Sequence, residues 1–191
     1  MNEDEYIKGY IKETKRTLDE LVKTQTNAIR TVTHILRNAQ VDDHFVYIIG
    51  NGGSAAAASH LASDLNKTAG EYVGVRFRAI ALTDNVPALT AWANDMAYSL
   101  VFEEQLVNFL REGDVVVAFS GSGNSENVCR AMQMATKMKA VTVGITGGDG
   151  GLLRMVTLFN IIVPSNNMQC IEDVHMILIH LIASMLRDGI D

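Results

Sequence analysis

The chain has 191 residues, is 48% hydrophobic and 20% charged, and carries a formal net charge of −6. That length can bury one sizeable core, and that composition excludes a disordered chain. The acidic balance argues against a non-specific nucleic-acid binder, so an anionic ligand has to be held by local geometry.

The N-terminal MNEDEYIKGY is polar and acidic, unlike a signal peptide. No apolar run is expected to reach the length of a membrane span. Cys129 and Cys170 stand in no metal or redox spacing and read as two free thiols. These features predict a cytoplasmic protein without membrane or nucleic-acid partners.

Asp4 to about Asn38 reads as one long amphipathic helix. Tyr6, Tyr10, Leu18, Leu21, Val22, Ala28, Ile29, Val32, Ile35 and Leu36 recur at three- and four-residue spacing. The helix precedes the first strand and so lies outside any βαβ unit. It suits packing against another subunit; folding back on its own domain is the other arrangement. Val41–His44 is a turn.

Phe45–Ile49 is an apolar, β-branched strand that stops at Gly50-Asn51-Gly52-Gly53-Ser54, and an Ala-rich helix follows. Strand, glycine turn and helix together present backbone N–H groups to an anion. Lys67–Tyr72 reads as a polar connection containing Gly70, and Arg76–Thr83 as the second strand. Asp84 or Asn85 caps a helix that tolerates Pro87 in its first turn and runs to Trp92. Asn94-Asp95 breaks it, and Ser99–Arg111 is a further helix. Val115–Phe119 is continuously apolar, as a strand buried on both faces should be. It ends in Ser120-Gly121-Ser122-Gly123-Asn124-Ser125, ahead of a helix from about Glu126 to Met138. Ala140–Ile145 is the next strand, followed by the loop Thr146–Gly151 and a short helix at Leu152–Val156. Leu158–Val163 is the last strand, and Met168–Arg187 the closing helix.

Alternating strands and helices predict an α/β fold: a doubly wound, three-layer arrangement around a five-stranded parallel sheet. No linker or repeat interrupts it. Residues 1–191 therefore read as a single domain, with a helix at 1–40 suited to oligomerisation and an α/β core at 41–191. Three strands end in glycine- and serine-rich loops, and such sheets bind ligands outside their C-terminal strand ends.

Ser120, Ser122 and Ser125, with backbone amides at a helix start, suit a phosphate monoester without any lysine. GNGGS is not the GxGxxG dinucleotide pattern, and no Walker sequence is present, which disfavours a nucleotide enzyme. His60 and Asp64 are four apart and share one helix face. The closing helix carries Glu172, Asp173, His175 and His180, and the apolar residues around His180 point it toward a core or a pocket. His60, Asp64, Glu172 and His180 would offer two imidazoles and two carboxylates. That set suits zinc or another divalent ion, and also proton transfer.

GNGGS, a His four before an acid, SGSGNS, TGGDGG and EDVHMILIH together resemble the sugar isomerase (SIS) domain family, most of all the bacterial phosphoheptose isomerases. The resemblance implies a flavodoxin-like strand order and a homotetramer with active sites at subunit interfaces. It implies conversion of sedoheptulose 7-phosphate to D-glycero-D-manno-heptose 7-phosphate, an early step toward heptose in surface polysaccharides. It also implies that Gly52, Gly53, Ser54, Ser120, Gly121, Ser122 and Ser125 surround the phosphate, and that Asn51 and Asp95 contact substrate. His60, Asp64, Glu172 and His180 would bind one zinc, with Asp64 and His180 as the acid/base pair. Asp64 stands where those isomerases have Glu, Glu172 where they have Gln, Thr68 where they have Arg, and Gly121 where they usually have Thr. A non-catalytic phosphosugar-binding protein and an isomerase of another ketose phosphate are the alternatives.

Overall fold

The computed structural model describes residues 2–69 and 74–190. The chain opens with α1 (Glu3–Val41), whose start is fixed by a capping box. The Asn2 side chain accepts from the Glu5 N–H at 2.8 Å, and the Glu5 carboxylate accepts from the Asn2 N–H at 3.1 Å. Glu3, Asp4 and Glu5 in the first turn add a favourable interaction with the helix dipole.

Then follow β1 (Phe45–Ile49), α2 (Gly53–Asp64) and a π-helical turn at Leu65–Ala69. Next come β2 (Arg78–Ala81), α3 (Val86–Asp95), a 3₁₀ turn at Tyr98–Leu100 and α4 (Glu103–Phe109). The chain closes with β3 (Val115–Ser120), α5 (Glu126–Lys137), β4 (Val141–Gly147), α6 (Leu153–Val156), β5 (Phe159–Val163) and α7 (Met168–Asp188). The strands form one sheet in the order β2-β1-β3-β4-β5, and every pairing is parallel.

Period-two alternation sends side chains to two cores. Val46, Ile48, Val117, Phe119, Val143 and Ile145 face α1, α2 and α7. Tyr47, Ile49, Val116 and Ala118 face α4 and α5. The first long helix lies on its own domain: Leu21, Ile29, Val32 and Leu36 are buried in the first of these cores. Midway along it, the Gln25 side-chain oxygen accepts from the Ile162 N–H of β5 at 3.1 Å. Tyr6, Ile7, Ile11 and Val22 remain exposed on it.

Several boundaries differ from expectation. β2 begins at Arg78 because it is paired with β1 from Phe45 onward, leaving Arg76 and Phe77 ahead of the ladder. α3 continues through Asn94-Asp95 and stops only where the Met96 and Ala97 N–H groups share the Trp92 carbonyl. The helix expected at Ser99–Arg111 is split, because the chain turns inward to bury Val101 and Phe102 before α4 starts. Lys67–Ala69 belongs to the π turn, and the rest of the connection expected through Tyr72 lies outside the described residues.

α7 is long and apolar enough to cross a membrane by length and composition alone. Its apolar stripe, however, is spent on the protein's own core: Ile171, Val174, Leu178, Ile179 and Ile182 are buried there. His175 lies on the same stripe, its ring 5.5 Å from that of Phe119, and neither ring nitrogen has a partner in hydrogen-bond geometry among the described residues. Burial lowers its pKa to about 4, outweighing the opposite effect of the Thr146 backbone.

The unfolded chain therefore takes up this proton first as the pH falls. The contribution to stability is intact above about pH 6.5 and is lost progressively toward about pH 4. Urea unfolding should show stability falling by about 1.4 kcal/mol per pH unit across that window from this group alone. His175→Leu should lack that component, and an unchanged slope in the variant would assign the acid sensitivity to other groups.

Candidate functional site

β1 and β3 end side by side at the sheet centre, and each feeds a helix through a glycine turn. Gly52 occupies the cap of α2 at φ +54°, a left-handed conformation that a side chain would resist. The two turns form one small pocket of about 140 Å³, lined by Asn51, Ser54, Ser120, Ser122, Ser125 and Glu172, with Phe119, Gly121 and Met168 completing it. Ser120 Oγ lies 3.5 Å from Ser125 Oγ and accepts from the Gly123 N–H at 3.1 Å. Among the described residues lining the pocket, none is a lysine, arginine or histidine.

Asn51 is held from two sides. Its Nδ2 donates to Asn127 Oδ1 at 2.8 Å, and its Oδ1 accepts from Asn127 Nδ2 at 3.0 Å and from the Tyr98 hydroxyl at 2.8 Å. This reciprocal amide pair locks the β1 turn to the start of α5. Asn127 and Tyr98 were not singled out from the sequence. The only signal for Asn127 is its place two residues after Ser125, inside the first turn of a helix.

The loops after β3 and β4 are braced together as well. The Leu152 N–H donates to Asn124 Oδ1 at 3.0 Å, and the Leu153 N–H donates to the Gly123 carbonyl at 2.8 Å. A second cavity of about 360 Å³ adjoins the first, with Gly147, Gly148, Asp149, Ser165 and Asn166 on its far side. Gly121, Ser122 and Met168 line both cavities. A Cβ on Gly121 would overlap Met168 Sδ, so the methionine fills the place of the missing hydroxyl-bearing side chain.

α2 and α7 pack against one another beside this pocket. Gly53, His60 and Asp64 are spaced seven and four apart, which puts them on one stripe of α2. Glu172 meets the stripe at Gly53, where its Oε1 would stand 2.5 Å from an added Cβ. His180 meets it at His60, with the two Nε2 atoms 3.0 Å apart and the rings crossed at 65°. Asp64 Oδ2 lies 3.5 Å from His60 Nε2, and the Thr68 hydroxyl, one turn on, donates to Asp64 Oδ1 at 3.3 Å. The π turn starts at the residue after Asp64, a device frequent at functional sites.

His60, Asp64 and His180 thus offer three ligand atoms within 4.8 Å of one another. Tetrahedral zinc with bonds of about 2.0–2.1 Å sets its ligands about 3.3 Å apart. The observed 3.0 and 3.5 Å bracket that value, so the donor set fits a small divalent ion.

Other expected site residues lie elsewhere. Glu172 is not in this group: eight residues, about 12 Å of helix, separate it from His180, and its carboxylate lines the serine pocket. Asp173 points to α1, accepting from the Tyr10 hydroxyl at 2.5 Å and pushing the tyrosine pKa up to about 12. Asp95 is exposed at the end of α3, outside the pocket lining, and accepts from the Asn94 amide at 2.8 Å. Of the core or pocket that the apolar surroundings of His180 suggest in the sequence, the core position belongs to His175, while His180 is exposed and converges with His60 and Asp64.

Residues 9–147 match the SIS domain family. The phosphoheptose isomerase of Helicobacter hepaticus is 37% identical over 166 residues, covering 86% of this chain and 83% of that protein. The phosphoheptose isomerase of Nitratiruptor sp. is 35% identical, covering 97% of this chain and 98% of its own. Among solved structures, phosphoheptose isomerase GmhA from Neisseria gonorrhoeae superposes with a TM-score of 0.91 at 29% identity, over 99% of this chain and 100% of that one. Sheet order, serine pocket and near-complete coverage by these relatives agree, and the chain belongs to the SIS domain family.

Proposed function

We propose that this protein is a phosphoheptose isomerase that interconverts sedoheptulose 7-phosphate and D-glycero-D-manno-heptose 7-phosphate. The observation that carries the reading is the convergence of His60 and Asp64 of α2 with His180 of α7, further along α2 than the serine pocket. From Gly53 to His60 is about 10 Å at 1.5 Å per residue, a span that an open-chain sugar phosphate can bridge. Ser54, Ser120, Ser122 and Ser125, with the amides of Gly52, Gly53 and Gly121, hold the phosphate. Asn51, fixed by Asn127 and Tyr98, orients the sugar.

Asp64 or His180 removes the proton α to the carbonyl, and the other group returns one to the neighbouring carbon. Thr68 leaves Asp64 Oδ2 as the free oxygen on the His60 side. His60, Asp64 and His180 hold a divalent metal, zinc being the first choice. Bound there, it supplies Lewis-acid polarisation of the substrate oxygens. Glu172 as a further ligand rests on the family resemblance alone.

The working form is a cytoplasmic homotetramer. Exposed Tyr6, Ile7, Ile11 and Val22 on α1, with Ile177 and Leu181 on α7, supply an apolar face for a second copy. Asp95, outside the pocket lining of its own chain, would contact the substrate held by a neighbouring copy.

The test is turnover of sedoheptulose 7-phosphate by chelator-treated protein, with zinc added back and the product read by NMR. Metal-dependent formation of the heptose phosphate is the expected result. Binding of the sugar phosphate without turnover at any metal concentration would refute the isomerase.

A further inference from the structure

The serine pocket contains a carboxylate and no cationic side chain among its described lining residues. Glu172 presses on Gly53, the first residue of α2, with both carboxylate oxygens within 2.6 Å of where a Cβ would stand. It therefore sits at the helix end that attracts anions, in the same space of about 140 Å³ as the hydroxyls of Ser54, Ser120, Ser122 and Ser125. A phosphoryl group entering that space comes within a few ångströms of a like charge. Hydroxyls and backbone amides solvate phosphate as dipoles but do not cancel the carboxylate charge. In a pocket this small, solvent and salt screen the repulsion only in part.

We propose that Glu172 sets a charge threshold on this pocket: its carboxylate opposes an entering phosphate ester and holds the affinity below what the serine hydroxyls and backbone amides would give alone. The proposal rests on the phosphosugar reading above and deepens it. It adds the residue that limits the affinity for the ester.

The experiment is calorimetric titration of sedoheptulose 7-phosphate into chelator-treated wild-type protein and Glu172→Gln. The substitution keeps the shape and removes the charge. Without zinc, Glu172→Gln should bind roughly tenfold more tightly than wild type. Raising the salt should strengthen ester binding by metal-free wild type, opposite to a site held by lysine or arginine, and this arm needs no variant. Equal or weaker ester binding by metal-free Glu172→Gln, with wild type still binding, would overturn the threshold and leave the phosphosugar reading standing. No ester binding by either protein under any condition would overturn both.

Discussion

His180→Ala is expected to slow isomerisation by about 10³-fold while leaving phosphosugar binding within a few-fold of wild type. The ring is one of three groups converging beside α2, its Nε2 3.0 Å from that of His60. Its loss removes a proton carrier and one donor of the metal-fitting set together. The serine pocket lies at the other end of the α2 stripe and does not include His180, so substrate capture should survive. Asp64→Asn is expected to behave alike, since it keeps the contact with Thr68 and removes the carboxylate. Measuring kcat separately from the dissociation constant checks both. A variant with wild-type kcat would remove that residue from the chemistry. His175→Leu is the contrasting control: it touches the core and the acid response, five residues from the reacting group.

Gly123→Ala should be the most damaging conservative change in the serine loop. Gly123 has φ +66°, and a Cβ there would run into the Gly150 carbonyl, a backbone atom that cannot rotate away. Its own carbonyl accepts from the Leu153 N–H at 2.8 Å, so the loops after β3 and β4 would have to part. Strain and lost hydrogen bonding together should cost about 3 kcal/mol or more in urea unfolding, and phosphate-ester binding should fall with it. Gly52→Ala separates the two causes. Gly52 has φ +54° but nothing within 4 Å of its Cβ position, so only the conformational cost of about 1 kcal/mol applies. If the two variants were equally stable, the loop brace would contribute nothing.

Much of the fold is legible in the sequence because the strands are short apolar runs punctuated by glycine. Val115–Phe119 and the loops on either side of the sheet centre are read directly from such punctuation. The split between the 3₁₀ turn and α4 is not, because no glycine or proline marks it; burial of Val101 and Phe102 sets it. In α7 both histidines have apolar neighbours, and local composition does not separate them. Helix phase does: residues 171, 174, 175, 178, 179 and 182 form the buried stripe, which takes in His175 and omits His180. The position of Glu172 is a tertiary fact, fixed by the close approach of α7 to a residue without a side chain at Gly53.

The contact between Gln25 and Ile162 bears on how the protein avoids self-association. β5 is an outer strand of the sheet, and an outer strand with free N–H groups is a template for another chain. α1 lies along that margin and gives one of those donors an intramolecular acceptor. The opposite margin, β2, is covered by the π turn after α2: Asn66 Oδ1 accepts from the Ala79 N–H at 3.1 Å, and Asn66 Nδ2 donates to the Ala79 carbonyl at 2.8 Å. The protein thus answers outward backbone groups on both outer strands with amide side chains of its own helices, Gln25 on one side and Asn66 on the other, which discourages strand addition between copies.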